Sequence, residues 1–175
     1  MNEKIESKRL DYRFFREDDY PFMIELLGND SVCQYLPRKV AYPNDIIKRV
    51  LDYYIDAHNR DEMQYIYLVL KKDTGRPIGY AGIQMVREFE KYEIFYAFIP
   101  GAWNQGFGTE ASLRMRELAK EIGLKKVIAL ADIGNVGSQK VLERTGYDKV
   151  SQLPLWGLDL YFYEMSLEDE NNDEK

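Results

Sequence analysis

The sequence predicts an α/β fold, α+β in its layout, organised around one mixed sheet. Three observations carry this. Gln64–Leu70 (Q-Y-I-Y-L-V-L), Ile78–Val86 and Lys91–Ile99 are consecutive runs rich in β-formers, the first two joined by an Asp73-Thr74-Gly75 turn. Apolar residues recur at helical spacing at Ile47, Val50, Leu51 and Tyr54, and again at Ala111, Met115, Leu118, Ala119 and Ile122. Lys126–Ala131 (K-V-I-A-L-A) is short and continuously apolar, as a strand buried on both faces would be.

The remaining elements follow in order. Leu10–Phe15 alternates weakly and predicts a first strand. Glu17-Asp18-Asp19 supply helix-start carboxylates, Pro21 is tolerated in a first turn, and Gly28 marks a stop after the apolar face Phe22, Met23, Leu26 and Leu27. Asn29–Tyr42 reads as an irregular connection carrying Cys33, Tyr35 and Leu36, and a second helix follows Pro43-Asn44. Helix Thr109–Ile122 ends at Gly123, and a short helix starts near Ser138 and stops at Gly146. Tyr147–Gln152 and Asp159–Ser166 are closing strands around Leu153–Gly157. The expected order is β-α-α-β-β-β-α-β-α-β-β, with no repeat or linker. Residues 1–167 are expected to form a single domain, and 168–175 a frayed acidic tail.

Composition narrows the class. A chain of 175 residues with 45% hydrophobic content can bury a proper core. Its net charge of −6 counts against a nucleic-acid partner and is compatible with a cationic acceptor such as an amine. No apolar run approaches a membrane span, and Met1–Lys8 is too polar for a signal peptide, so a soluble, cytoplasmic protein is expected. The lone cysteine, Cys33, excludes an internal disulfide framework.

The most chemical stretch is Ile99–Ala111, I-P-G-A-W-N-Q-G-F-G-T-E-A. It joins a strand-like run (Tyr92–Ile99) to a helix start. Unpaired N–H groups and partial positive charge gather at a helix N-terminus, and glycines such as Gly106 and Gly108 allow φ > 0 and close approach of a phosphate. The same glycines could equally serve only as a turn.

Taken together, three segments resemble the GNAT superfamily of acetyl-CoA-dependent N-acetyltransferases, and within it the RimJ/RimL-like branch. They are S-K-R-L-D-Y-R-F-F-R-E-D-D (Ser7–Asp19), E-I-F-Y-A-F-I-P-G-A-W-N-Q-G-F-G-T-E-A (Glu93–Ala111) and N-V-G-S-Q-K-V-L-E-R-T-G-Y (Asn135–Tyr147). Trp103 stands where many superfamily members carry Gln or Arg, resembles the RimJ/RimL-like branch in this, and is expected to be cofactor-binding with the rest of the loop.

The resemblance implies acetyl-CoA held between two splayed parallel strands, Tyr92–Ile99 and Lys126–Ala131, its pantetheine arm pairing with main chain near Phe98 and Ile99. A backbone N–H there would polarise the thioester carbonyl. Asn104, Gln105, Gly106, Phe107, Gly108 and Thr109 would wrap the pyrophosphate, Thr109 acting as helix cap or phosphate ligand. Glu110 suits the dipole as a structural residue. Asn135 would bond pantetheine or serve as a turn residue, and Ser138 would be an N-cap or contact the thiol. Pairing of sheet edges into a homodimer is common in the family.

The implied chemistry is direct transfer of acetyl to a primary amine, of a small molecule or a protein N-terminus, in a ternary complex. An amine protonated at pH 7 needs a base. Glu93, on the cofactor strand, is the nominee, set against an exposed strand glutamate. The tyrosine that other branches use to protonate the leaving thiolate is replaced by Leu142, leaving Ser138, Tyr147, water or no acid. Tyr35, Tyr42 and Trp156 would wall the acceptor pocket or pack as core aromatics. Cys33 reads as packing, His58 as a solvent-facing helix end, and no metal-ligand cluster is visible. The alternative function is a non-catalytic acetyl-CoA-binding sensor or partner module with the same fold. ATP binding is disfavoured because no Walker lysine follows the glycines.

Overall fold

The computed structural model describes residues 4–59 and 63–168. Its strands are β1 (Lys4–Glu6), β2 (Leu10–Phe14), β3 (Tyr65–Lys71), β4 (Pro77–Val86), β5 (Lys91–Phe98), β6 (Lys126–Asp132), β7 (Asp148–Leu155) and β8 (Leu158–Ser166). Its helices are α1 (Tyr20–Leu27), α2 (Asp30–Cys33), α3 (Asn44–Asp56), α4 (Phe107–Glu121) and α5 (Val136–Arg144). The strands form one mixed sheet in the order β1-β2-β3-β4-β5-β6-β8-β7. Every neighbouring pair is antiparallel except β5 and β6.

That parallel pair is the irregular joint of the sheet. β5 and β6 are in register only at Glu93↔Ile128, whereas β4 follows β5 from Val86↔Lys91 to Gly79↔Phe98. The strands therefore part beyond Glu93, which is the splay the family resemblance implies.

Each expected strand and helix is present, and two short elements join them. β1 holds a single buried apolar residue, Ile5, too little periodicity to be visible. Helix α2 lies inside the supposedly irregular Asn29–Tyr42 and is capped by the Asn29 side chain, which accepts the Ser31 N–H at 2.9 Å. The carboxylates Glu17–Asp19 form a 3₁₀ turn ahead of α1. In it the buried Asp19 accepts both Arg13 nitrogens at 2.9 and 2.7 Å and the Arg16 N–H at 2.8 Å. Gly28 is the C-cap of α1, where a Cβ would lie 2.5 Å from the Ile24 carbonyl oxygen. The acidic run after Glu168 and the side chain of His58 lie outside the described residues. Among the described residues no helix is long and apolar enough to cross a membrane.

Register assigns the two faces. Gln84, Gly82 and Tyr80 pair with Glu93, Phe95 and Ala97, so these residues share one face. Tyr54 of α3 meets Tyr80 on that face at 5.4 Å between ring centroids, and Tyr80 lies 5.9 Å from Phe95. Tyr96 points the other way, where a Cβ on Gly108 would be 3.7 Å from its ring and 3.4 Å from Val141 of α5. Helices α4 and α5 thus cover one face and α3 the other.

Close approach within the β4–β5 pair depends on glycine. A Cβ at Gly79 would lie 2.2 Å from the Ala97 carbonyl oxygen and 2.6 Å from the Phe98 ring. Gly79→Ala is expected to lower stability by about 3 kcal/mol, since backbone and a buried ring must both shift. A denaturant melt with an unchanged midpoint would show that the strands part without cost.

Candidate active site

The turn from β5 into α4 is shaped by its own backbone. Pro100–Ala102 make one 3₁₀ turn, then Asn104 and Gly106 adopt left-handed φ of 57° and 79°. Gly106 is the N-cap of α4, so the helix starts at Phe107, two residues ahead of the expected Thr109. No side chain caps this end, and Glu110 N–H to Gly106 C=O (3.1 Å) is the bond that opens the helix. The N–H groups ahead of it have no acceptor within the helix.

Thr109 is neither the cap nor bonded to one: its buried hydroxyl has no partner. An orphaned hydroxyl beside an uncapped N-terminus fits an anion that supplies the missing acceptors. Other loop side chains build the turn. The Trp103 indole donates to the Phe98 carbonyl at 2.8 Å, Gln105 donates to the Gly101 carbonyl at 2.7 Å, and Phe107 is buried. Trp103 is therefore a brace between loop and strand end, and any cofactor contact from Gln105 or Phe107 would come from main chain.

The splay supplies a second set of groups. Ile99 N–H donates to the Ile78 carbonyl at 2.9 Å, which removes it from the groups that could pair with pantetheine. Main-chain groups alternate along a strand, so those of Phe98 and Tyr96 face β6 instead. With the Phe98 carbonyl taken by Trp103, the Phe98 N–H and the Tyr96 peptide groups are those turned to the gap. Sequence alone does not separate Ile99 from Phe98 here, because it does not say which edge of a strand a peptide faces.

Glu93 is buried at the point where the gap opens, which excludes an exposed strand glutamate. Gln84 donates to its carboxylate at 3.0 Å, and so does the Leu130 N–H across the gap, two residues past the last paired position. Burial pushes its carboxyl up to about 7, against those two hydrogen bonds. On the opposite face, Ser138 Oγ lies 3.3 Å from the Tyr96 hydroxyl. Tyr147 is buried with its hydroxyl unpartnered, and its phenol is raised by burial and then by the nearby Tyr96 and Glu93. Leu142 is core.

Asn135 caps α5, accepting the Ser138 N–H at 3.0 Å, so Ser138 is not the N-cap. Both residue types cap well, and only their three-residue spacing distinguishes capper from capped. Tyr96, the hydroxyl nearest Ser138, was missed because its partner lies far along the chain.

The acceptor-side aromatics are scattered. Tyr35 lies against Gly134 at the end of β6, Tyr42 stacks under Arg38 at 5.7 Å, and Trp156 donates to Glu88 at 2.7 Å from the β7–β8 turn. Cys33 is buried and donates to the Leu27 carbonyl at 3.1 Å, and burial pushes its thiol up, as suits packing. No cluster of metal-ligating side chains occurs among the described residues. A surface cavity of about 340 Å³ beside Arg13 and Phe15 shares no residue with this site.

Comparison with known proteins bears on the family and the fold. The Acetyltransferase (GNAT) domain family matches residues 9–148, and the chain belongs to that family. A curated relative, the uncharacterized N-acetyltransferase YnaD of Bacillus subtilis, is 26% identical over 143 residues, covering 81% of each chain. The fold matches a GNAT-family acetyltransferase from Bacillus anthracis with a TM-score of 0.81 at 22% identity, over 95% of this chain and 99% of the other. It also matches RimL, a ribosomal alpha-N-protein acetyltransferase in complex with coenzyme A, with a TM-score of 0.78 at 17% identity, over 94% and 98%. The chain thus carries an acetyltransferase domain of the GNAT type.

Proposed function

We propose that this chain is a single-domain, cytoplasmic acetyl-CoA-dependent N-acetyltransferase of the RimJ/RimL-like branch, acting on a primary amine in a ternary complex. The observation that carries it is the join of two incomplete structures, a parallel pair that parts beyond Glu93 and a helix N-terminus with no cap beside the buried, unpartnered Thr109 hydroxyl.

Acetyl-CoA, when bound, supplies the activated acetyl thioester. The N–H groups of Phe107, Gly108 and Thr109, with the Thr109 hydroxyl, hold the pyrophosphate. Peptide groups of Tyr96 and the Phe98 N–H orient the pantetheine chain as an added strand would be held, and Asn135 can turn its NH₂ toward the same chain. Glu93, on the α3 face, takes a proton from the incoming ammonium, directly or through water, and its raised carboxyl is matched to that task. Ser138, whose Oγ meets the Tyr96 hydroxyl on the opposite face, passes a proton to the leaving sulfur. The acceptor enters on the face carrying Tyr80, Phe95 and Glu93, which Tyr42 also approaches beside Tyr80; Tyr35 and Trp156 lie apart from it. RimL is an alpha-N-protein acetyltransferase, which makes a protein N-terminus one arm of the acceptor test, beside small amines.

Buried Leu142 at the position of the usual acid favours one other reading, an acetyl-CoA sensor without turnover. Thiol release across a panel of small amines and N-terminal peptides separates the two. Amine-dependent release with intersecting initial-rate lines, unaltered by Cys33→Ser, is expected. Tight acetyl-CoA binding without amine-dependent release from any acceptor would favour the sensor, and parallel rate lines would remove the ternary complex.

A further inference from the structure

The N-terminal segment reaches the phosphate loop from about a hundred residues away in sequence. The Arg9 guanidinium donates through Nε to Glu110 Oε2 at 2.7 Å and through Nη1 to the Gln105 carbonyl at 2.9 Å, while lying 4.5 Å over the Phe107 ring. Its Nη2 would be 3.4 Å from a Cβ on Gly106. The Arg9 N–H and the Ser7 hydroxyl both donate to Glu110 Oε1, at 2.6 and 2.7 Å. One planar fork thus touches the consecutive residues Gln105, Gly106 and Phe107, and is itself anchored to the first turn of α4.

We propose that Arg9, locked to Glu110, is a positioning residue that clamps the Gln105–Phe107 turn in its anion-binding shape and thereby sets cofactor affinity from the N-terminal segment. The cofactor part of this rests on the proposed function; the clamp itself does not.

Left-handed Asn104 and Gly106 are joined by a single residue, Gln105, whose carbonyl must be held for the following N–H groups to converge. A bidentate guanidinium can hold that carbonyl and a carboxylate at once, which a lysine ammonium on its flexible stem does less well. Glu110 also needs neutralising. Partial burial works against its charge, yet hydrogen bonds from the Arg9 N–H, the Ser7 hydroxyl and the Arg9 guanidinium keep its carboxyl below the usual range. Without the Arg9 guanidinium, that carboxylate would keep only neutral donors, the Ser7 hydroxyl and the residue-9 N–H, beside the turn that must receive phosphate.

The test reads the ligand-free and liganded protein separately. In ligand-free Arg9→Ala, amide exchange at Glu110, whose N–H is bonded to the Gly106 carbonyl of the clamped turn, is expected to rise at least roughly tenfold, with the core strands unchanged. Its acetyl-CoA KM and dissociation constant are expected to rise roughly tenfold or more, with kcat within about twofold. Arg9→Lys, which keeps the charge and folds if Arg9→Ala does not, is expected to recover less than half of each logarithmic change. Unchanged exchange in Arg9→Ala, or full rescue by Arg9→Lys, would overturn the clamp. A wild-type protein that fails to bind acetyl-CoA would overturn the proposed function instead, leaving the exchange result to decide the clamp.

Discussion

Gly106→Asp is expected to raise the acetyl-CoA dissociation constant about 100-fold or more. Gly106 sits at φ 79°, where a side chain strains the backbone by about 1–2 kcal/mol. Its Cβ would meet Arg9 Nη2 at 3.4 Å, so bulk is added where the guanidinium lies. Charge matters more than bulk or strain. A carboxylate a few ångströms from a bound phosphate costs about 3–4 kcal/mol per charge pair at an effective dielectric of ~20, and screening by Arg9 removes part of that. About 2.7 kcal/mol suffices for a 100-fold loss. Gly106→Ala separates strain from charge and is expected to weaken binding only about tenfold. Calorimetric titration with a thermal melt as folding control checks both. An unchanged dissociation constant in the aspartate variant would remove the pyrophosphate from this turn.

Glu93→Gln is expected to lower kcat about 100-fold or more near neutral pH and to abolish the acidic limb of the rate profile near pH 7. Glutamine keeps the size and can still accept from Leu130, so the change isolates proton transfer. Stability should move independently of rate. Burial raises the folded carboxyl from 4.5 to about 7, so the folded state holds a proton that the unfolded chain has released between those values. The stabilisation from this group is therefore complete below about pH 4.5 and lost as pH rises to about 7. The glutamine variant should gain on wild type across that window, by about 3 kcal/mol in all. Denaturant melts at pH 5 and pH 8 read this difference. A variant that retains wild-type kcat at both pH values would leave Glu93 as a bridge across the splay and no base.

Local rules made some parts of this protein readable. The hairpin strands β3 and β4 follow from β-branched and aromatic runs flanking Asp73-Thr74-Gly75. Gly123 is readable as a stop because it lies just past the last apolar helix position, and the structure places it at φ 83°. Glu110 was legible as structural from its place in a first helical turn, although its partner was not. What stayed hidden is set by tertiary geometry. The Ser138–Tyr96 contact and the Arg9–Glu110 pair join residues distant in sequence, and neither residue of either pair carries a local pattern that names the other. The edge that the Ile99 peptide faces is hidden in the sequence because it depends on the register with β4. The splay itself entered through family resemblance, since Lys126–Ala131 reads equally well as a strand paired along its whole length. Acceptor-side loops are the least readable. Tyr35 and Trp156 are fixed by contacts to Gly134 and Glu88, distant in sequence, that no spacing rule anticipates.

The central claim is that one ligand completes both the uncapped turn before α4 and the gap between β5 and β6. Amide hydrogen exchange measured with and without saturating coenzyme A tests it most directly. The expected result is protection concentrated at residues 104–109, with a second protected set at Tyr96–Phe98. Binding without protection at either place, or protection confined to the cavity beside Arg13 and Phe15, would contradict it.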